Sequence, residues 1–234
     1  MREPYRRTDR VELADLDAIV FDLDGVLIDT WKLYLNVYRQ VYSELLGDEL
    51  SDEQLIALAR TSESGTLNAA LPFHLIAPAI ERFKHWYVVM SEEFTVPFRP
   101  ALRAVTAAHE RGLRVGVFTG KMRATAEHEL ARFGLSRCLD YLCSEDDFPE
   151  PKPHSGGLVQ LMDALKLTPR RTLYVGDQRN DLLAGRGAGA LTGAALWARY
   201  TSIEPARDVP DIVFPTPDSC LEFVDPSRST KRPC

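Results

Sequence analysis

Two aspartates, Asp22 and Asp24, flank a single leucine directly after the apolar run Ala18-Ile19-Val20-Phe21. Two more, Asp177 and Asp181, stand in Gly176-Asp177-Gln178-Arg179-Asn180-Asp181, directly after Leu173-Tyr174-Val175. Carboxylates gathered at one edge repel one another unless protons or a cation intervene. An all-oxygen donor set favours a hard ion, and magnesium is typically held by a few carboxylates while it keeps water and a substrate phosphate in its shell. Thr119, after Val115-Gly116-Val117-Phe118, adds a hydroxyl donor, and Lys152 adds a fixed cation. A nucleophile, a hydroxyl, a cation and a metal cage suit phosphoryl transfer, whose transition state needs mainly charge neutralisation and alignment.

These residues need elements that bring them together. The runs at 18–21, 115–118, 141–143 and 173–175 are short, continuous and apolar, as strands covered on both faces are, and each stops abruptly at polar residues. Between them Leu102 to His109, Thr125 to Phe133 and Leu158 to Leu165 repeat apolar residues at helical spacing. Alternating strands and helices predict an α/β fold, a Rossmann-like parallel sheet with helices on both faces. Ligands of such sheets bind in the crevice outside the carboxyl ends of the strands. From about Trp31 to Val96 the alternation fails, and the pattern predicts helices alone. Val37, Val41, Leu45 and Leu46 mark one, Ser51-Asp52-Glu53-Gln54 caps a second, and Ile80 to Phe94 forms a third, closed by Pro97 and Pro100. The expected organisation is an N-terminal extension over 1–16, a core over 17–30 and 97–224, an all-helical cap over 31–96, and a disordered tail over 225–234.

With 28 basic against 34 acidic residues in 234, the chain carries a net charge of −6, which argues against a dedicated nucleic-acid binder. The cysteines, Cys138, Cys143, Cys220 and Cys234, form no C-x-x-C pair. Neither a signal peptide in the first ten residues nor an apolar run of membrane-spanning length can be read, so a cytoplasmic location is expected.

The motifs Asp22-Leu23-Asp24-Gly25-Val26-Leu27-Ile28-Asp29, Thr119-Gly120, Pro151-Lys152-Pro153 and Gly176-Asp177 through Asp181 resemble, in order, the four motifs of the haloacid dehalogenase superfamily. A single D-x-D is weak evidence, but four motifs in order on strand ends are strong. The segment between the first two resembles the helical cap of the subgroup containing phosphoglycolate phosphatase and β-phosphoglucomutase. The resemblance implies that Asp22 is the nucleophile of an aspartyl-phosphate mechanism and Asp24 the acid/base, with Thr119 holding the phosphoryl group and Lys152 bridging it to the nucleophile. It implies magnesium on Asp22, Asp177 and the Asp24 carbonyl, with Asp181 orienting the metal shell. Gly25 allows the backbone of its turn to approach phosphate closely. Gly120, Lys121 and Arg60 are read as further substrate contacts, the last in Arg60-Thr61-Ser62-Glu63-Ser64-Gly65, which joins two cap helices. An exposed lysine at a helix start is the alternative for Lys121.

The expected protein is a magnesium-dependent phosphatase of a small phosphorylated metabolite, a monomer or homodimer with neither nucleic acid nor membrane as partner. A pyrophosphatase, a β-phosphoglucomutase-like phosphomutase, an antibiotic-pathway phosphatase and a catalytically inactive binding or regulatory protein are the alternatives. Gly185-Arg186-Gly187-Ala188-Gly189-Ala190 fits a dinucleotide fingerprint but closes a helix instead of opening one, so it reads as a turn. Glu127-His128-Glu129 lacks the second histidine of a zinc helix and reads as a solvated face. His154 fits either the cleft or a polar loop.

Overall fold

The computed structural model describes residues 11–47 and 49–228. In chain order its strands are β1 (Ala18–Phe21), β2 (Ile28–Asp29), β3 (Val96–Pro97), β4 (Arg114–Phe118), β5 (Tyr141–Cys143), β6 (Thr172–Gly176), β7 (Leu191–Ala195) and β8 (Ile212–Phe214). Its helices are α1 (Trp31–Leu46), α2 (Asp52–Leu58), α3 (Glu63–Ala70), α4 (Phe73–Phe94), α5 (Arg99–Glu110), α6 (Arg123–Arg132), α7 (Gly156–Ala164), α8 (Arg179–Gly187), α9 (Pro205–Asp208) and α10 (Pro217–Val224). Six strands form one sheet in the order β5-β4-β1-β6-β7-β8, with every neighbouring pair parallel. β1 lies at its centre, and all four of its residues are buried. One face packs Ile19, Phe21, Val115 and Val117 against α5 and α10; the other packs Val20, Phe118 and Tyr174 against Leu158 and Leu161 of α7.

The helices α1 to α4 enclose an apolar cluster of their own, built on Leu33, Val37, Val41, Tyr42, Phe83 and Tyr87. The chain leaves and re-enters the sheet layer through β2 and β3, which pair antiparallel, Ile28 with Pro97 and Asp29 with Val96. This ribbon is absent from the sequence reading because two-residue strands carry no periodicity. α4 begins at Phe73, earlier than the expected Ile80, and continues through Pro78. Proline removes one helical hydrogen bond, but Leu75, Ile76, Ile80 and Phe83 keep one stripe packed on the cluster across that turn. β8 also escaped the sequence reading, being only Ile212–Phe214.

Both expected ends need correction. Residues 1–10 lie outside the described residues, but Leu16 is 4% exposed within the core, and Val11 and Leu13 pack against it, so residues 11–16 are not a loose lead-in. At the other end Asp225 is buried beside Arg111 and accepts from the Ser227 backbone N–H, and Pro226–Arg228 form a 3-10 turn. The rest of the expected tail, 229–234, lies outside the described residues. No helix among the described residues is long and apolar enough to cross a membrane.

Candidate active site

Asp22, Thr119 and Asp177 immediately follow β1, β4 and β6, which are adjacent and parallel, so all three emerge at the same edge of the sheet. Lys152 reaches the edge from the β5–α7 loop, and Asp181 from the first turn of α8. The turn after Asp22 is tight. Gly25 adopts φ +76° and donates its N–H to Ile28 O at 2.8 Å, and a Cβ there would strike the Asp177 carboxylate, so glycine serves both the turn and the close approach.

Carboxylate oxygens of Asp22, Asp177 and Asp181 lie within 4.8 Å of one another, and all three residues are buried. Lys152 Nζ stands 2.9 Å from Asp22 Oδ2 and donates to Asp181 Oδ1 at 2.7 Å and to the Tyr174 hydroxyl at 3.0 Å. Asp181 is otherwise held by Tyr174, whose hydroxyl donates to Oδ1 at 2.9 Å, and by the Gln178 N–H, which donates to Oδ2 at 2.9 Å. The Leu23 N–H donates to Asp22 Oδ1 at 2.7 Å, which leaves Oδ2 facing Lys152.

One buried ammonium cannot neutralise this cluster. Burial pushes the Asp22 carboxyl up to about 7, with Asp181 and Asp24 adding to the rise and Lys152 opposing it. Asp177 is raised well above the ordinary carboxylate range by burial and then by Asp181 and Asp22. Lys152 is raised in turn: burial opposes its charge, but Asp181 and Asp22 outweigh burial. Crowded buried carboxylates of this kind, all oxygen donors, fit a hard divalent cation.

Asp24 belongs to a second network. It accepts from Thr30 Oγ1 at 2.7 Å, lies 2.9 Å from the Tyr34 hydroxyl, and takes Lys121 Nζ at 3.3 Å on both oxygens. Lys121 is fully buried and also contacts Glu63 Oε1 at 3.1 Å, with the Tyr34 and Tyr87 ring centroids 4.6 and 4.4 Å away. Burial opposes the Lys121 charge, but Asp24, Glu63 and Glu129 together raise its pKa. Lys121 is therefore not the exposed helix-start lysine of the alternative reading: it is fully buried and pairs with Asp24, outside the lining of the cavity.

Glu63, from α3, crosses to the sheet layer. Its Oε2 accepts from the Met122 N–H at 2.8 Å and from Thr125 Oγ1 at 2.6 Å, and its own N–H donates to Gly120 O at 3.1 Å. A Cβ on Gly120 would strike the Thr61 carbonyl, so the α2–α3 loop rests directly on the turn after Thr119. Beside this contact Glu145 accepts from the Ser64 N–H at 3.1 Å, and burial, with Glu63 nearby, pushes its carboxyl up to about 7.

A cavity of about 320 Å³ joins the strand-end cluster to the helical layer, and Asp22, Asp24, Gly25, Thr119, Gly120, Lys152 and Asp177 all line it. Arg60 also lines it, but its Nη1 donates to the carbonyls of Ala57, Leu58 and Ala59, so its guanidinium turns back onto the end of α2. His154 is exposed beside Glu150 and does not line the cavity. The reading of 127–129 as a solvated face fails at Glu129, which is fully buried and accepts from Tyr87, Thr95 and Arg132. Gly185 and Gly187 lie in the last turns of α8, and Gly189, at φ +75°, closes the helix ahead of β7. Sequence reasoning missed Glu63, Tyr34, Tyr174 and Glu145. Glu63 at least lay in a segment singled out, whereas Tyr174 read as part of an apolar strand.

Parallel sheet, strand-end carboxylates and buried lysine define an α/β protein with an acidic centre at the carboxyl edge of its sheet. The model of the haloacid dehalogenase-like hydrolase family matches residues 19–195, and the chain belongs to that family. Among curated proteins it is 25% identical over 210 residues to pyrophosphatase PpaX of Halalkalibacterium halodurans, covering 90% of this chain and 97% of that one. It is 26% identical over 208 residues to phosphoglycolate phosphatase of Aquifex aeolicus, covering 89% and 96%. Among solved structures, a predicted phosphoglycolate phosphatase from Haemophilus somnus superposes with a TM-score of 0.79 at 19% identity, covering 90% of this chain and 99% of that one, a likeness of fold.

Proposed function

We propose that this hydrolase cleaves the phosphate monoester of a small metabolite through an aspartyl-phosphate at Asp22, with magnesium as its metal. The observation that carries the reading is the contact between Lys152 and Asp22 Oδ2 at 2.9 Å inside a buried carboxylate triad, a nucleophile held beside its own charge compensation. Phosphatase and pyrophosphatase names among the relatives agree with it.

Magnesium would be held by Asp22, Asp177 and the Asp24 carbonyl, and when bound it supplies neutralisation of phosphate and carboxylate charge. Lys152 and Thr119 position the phosphoryl group, and the backbone N–H groups after Asp22 offer it donors. Asp22 attacks phosphorus, the bond to the leaving oxygen breaks, and Asp24 gives that oxygen a proton. Water, losing a proton to Asp24, then cleaves the acyl phosphate, which releases inorganic phosphate and regenerates both aspartates. Asp181, saturated by Lys152, Tyr174 and Gln178, positions rather than reacts. Helices α1 to α4 act as the cap, their α2–α3 loop closing the cavity over Gly120 at Thr61.

The test is phosphate release from p-nitrophenyl phosphate with magnesium and with excess EDTA, for the wild type and Asp22→Asn. Turnover is expected only for the wild type with metal. Full activity in EDTA, or in Asp22→Asn, would remove the reading.

A further inference from the structure

The two ends of the cavity differ in chemistry. The strand-end half is lined by the carboxylates, Lys152, Thr119 and Asn180, whereas Trp31, Leu35, Tyr38, Leu55, Ile56 and Tyr200 line the cavity beyond it, beside the exposed Arg60 and Arg199. The polar tips of Tyr34 and Tyr38 are spent. The Tyr38 hydroxyl donates to Glu63 O at 3.1 Å, and the Tyr34 hydroxyl, with one proton to give, sits between Asp24 and Glu63 and accepts from Lys121 at 2.7 Å. What these residues present to the cavity is ring surface. Trp31 and Tyr200 stack at 3.8 Å between centroids, joining the start of α1 to the loop after β7 as a continuous aromatic wall. Ile56 and Tyr200 remain 45% and 43% exposed, apolar rim that a bound molecule would cover.

Two arginines, Arg60 and Arg199, line the cavity, but both are exposed: Arg60 Nη1 is bonded to the carbonyls at the end of α2, and the Arg199 guanidinium lies 5.4 Å from the Tyr200 ring centroid. A carboxylate or second phosphate carried into the outer half would lose hydration against the rings and gain at most an exposed, water-screened arginine. An uncharged ring would gain from leaving water, and the cavity volume lies within the range of small-molecule sites.

We infer that the outer half takes an uncharged apolar body of about one ring, carried on the alcohol of the phosphate ester, in preference to a second anionic group. The inference rests on the phosphatase reading and deepens it. It sets this chain apart from relatives named for pyrophosphate and phosphoglycolate.

The test compares alcohols of similar basicity, so that leaving-group chemistry does not intervene. With 2-phenylethyl phosphate against ethyl phosphate, kcat/KM is expected to rise at least about tenfold, the order that burying an apolar group supplies. Phosphoglycolate should fall below 2-phenylethyl phosphate. Leu55→Ala and Trp31→Ala should bring the ratio of the two alkyl esters towards one. Binding is read separately, with 2-phenylethylphosphonate expected to raise Tm more than phosphonoacetate does. Higher kcat/KM for phosphoglycolate, or a larger Tm shift with phosphonoacetate, would overturn the inference while leaving the phosphatase reading intact. No turnover of any ester, p-nitrophenyl phosphate included, would overturn the phosphatase reading itself.

Discussion

Lys121 and Glu63 form an ion pair at 3.1 Å with side chains 0% and 2% exposed, and one comes from the sheet layer while the other comes from the helical layer. The same ammonium reaches both oxygens of Asp24, so the charge that ties the layers together also holds the proposed acid/base. Removing one member of a buried pair leaves the other uncompensated, at a cost of about 3–5 kcal/mol. Lys121→Met should lower unfolding free energy by that order and cut turnover. Glu63→Gln keeps the shape but turns one acceptor oxygen into a donor facing other donors, Lys121 and Tyr34 on one side or the Met122 N–H on the other, and should cost a similar amount. Urea denaturation should show the double variant less destabilised than the two singles added, because each single strands the other's charge. Strict additivity would deny the coupling.

Asp24 should matter in proportion to the basicity of the leaving group. Asp24→Asn is expected to slow an alkyl phosphate by about 10²- to 10⁴-fold, the usual worth of a positioned acid, and p-nitrophenyl phosphate far less. Steady-state rates on both esters check this, and equal losses would make Asp24 a structural residue.

Gly120 is where the α2–α3 loop meets the strand-end turn. Gly120→Ala drives a methyl group into the Thr61 carbonyl and must displace the loop, together with the hydrogen bond from the Glu63 N–H to Gly120 O. A loss of about 1–3 kcal/mol is expected, as for other overpacked contacts, with a rise in KM because the cavity wall moves. Thermal unfolding and KM measured on the same preparation test it, and an unchanged KM would place the loop outside substrate binding.

Glu145 gives a pH dependence of known sign. Burial, then Glu63, raises its folded carboxyl to about 7 from 4.5, so between these values the folded state binds more protons than the unfolded one. Stability therefore falls as pH rises through that window. Glu145→Gln, which can still accept from the Ser64 N–H, should be more stable than the wild type at pH 8 by on the order of 2 kcal/mol. The gap should shrink towards pH 5. Denaturant midpoints at the two pH values decide it, and a gap independent of pH would show that the charge of Glu145 is not its cause.

What could be read along the chain was local. An apolar run that stops at Asp22, at Thr119 or at Asp177 announces a buried strand and its exposed carboxyl end within a few residues, and parallel topology then brings those ends to one edge without further information. The Ser51 capping box and the turn ending α8 are equally local, and both stand where they were expected. The reading erred where a residue's partner lies far away in sequence. Lys121 looks exposed until Glu63 and Asp24, 58 and 97 positions distant, supply its counter-charges. Glu129 looks solvated until Tyr87 and Thr95 cover it. The chain by itself determined the sheet, the helical insert and the carboxylates at the strand ends, because periodicity and motif spacing are short-range properties. Only the tertiary structure decided which cations are spent and which rings face the cavity, because burial and charge pairing depend on distances that close only when the helical layer rests on the sheet.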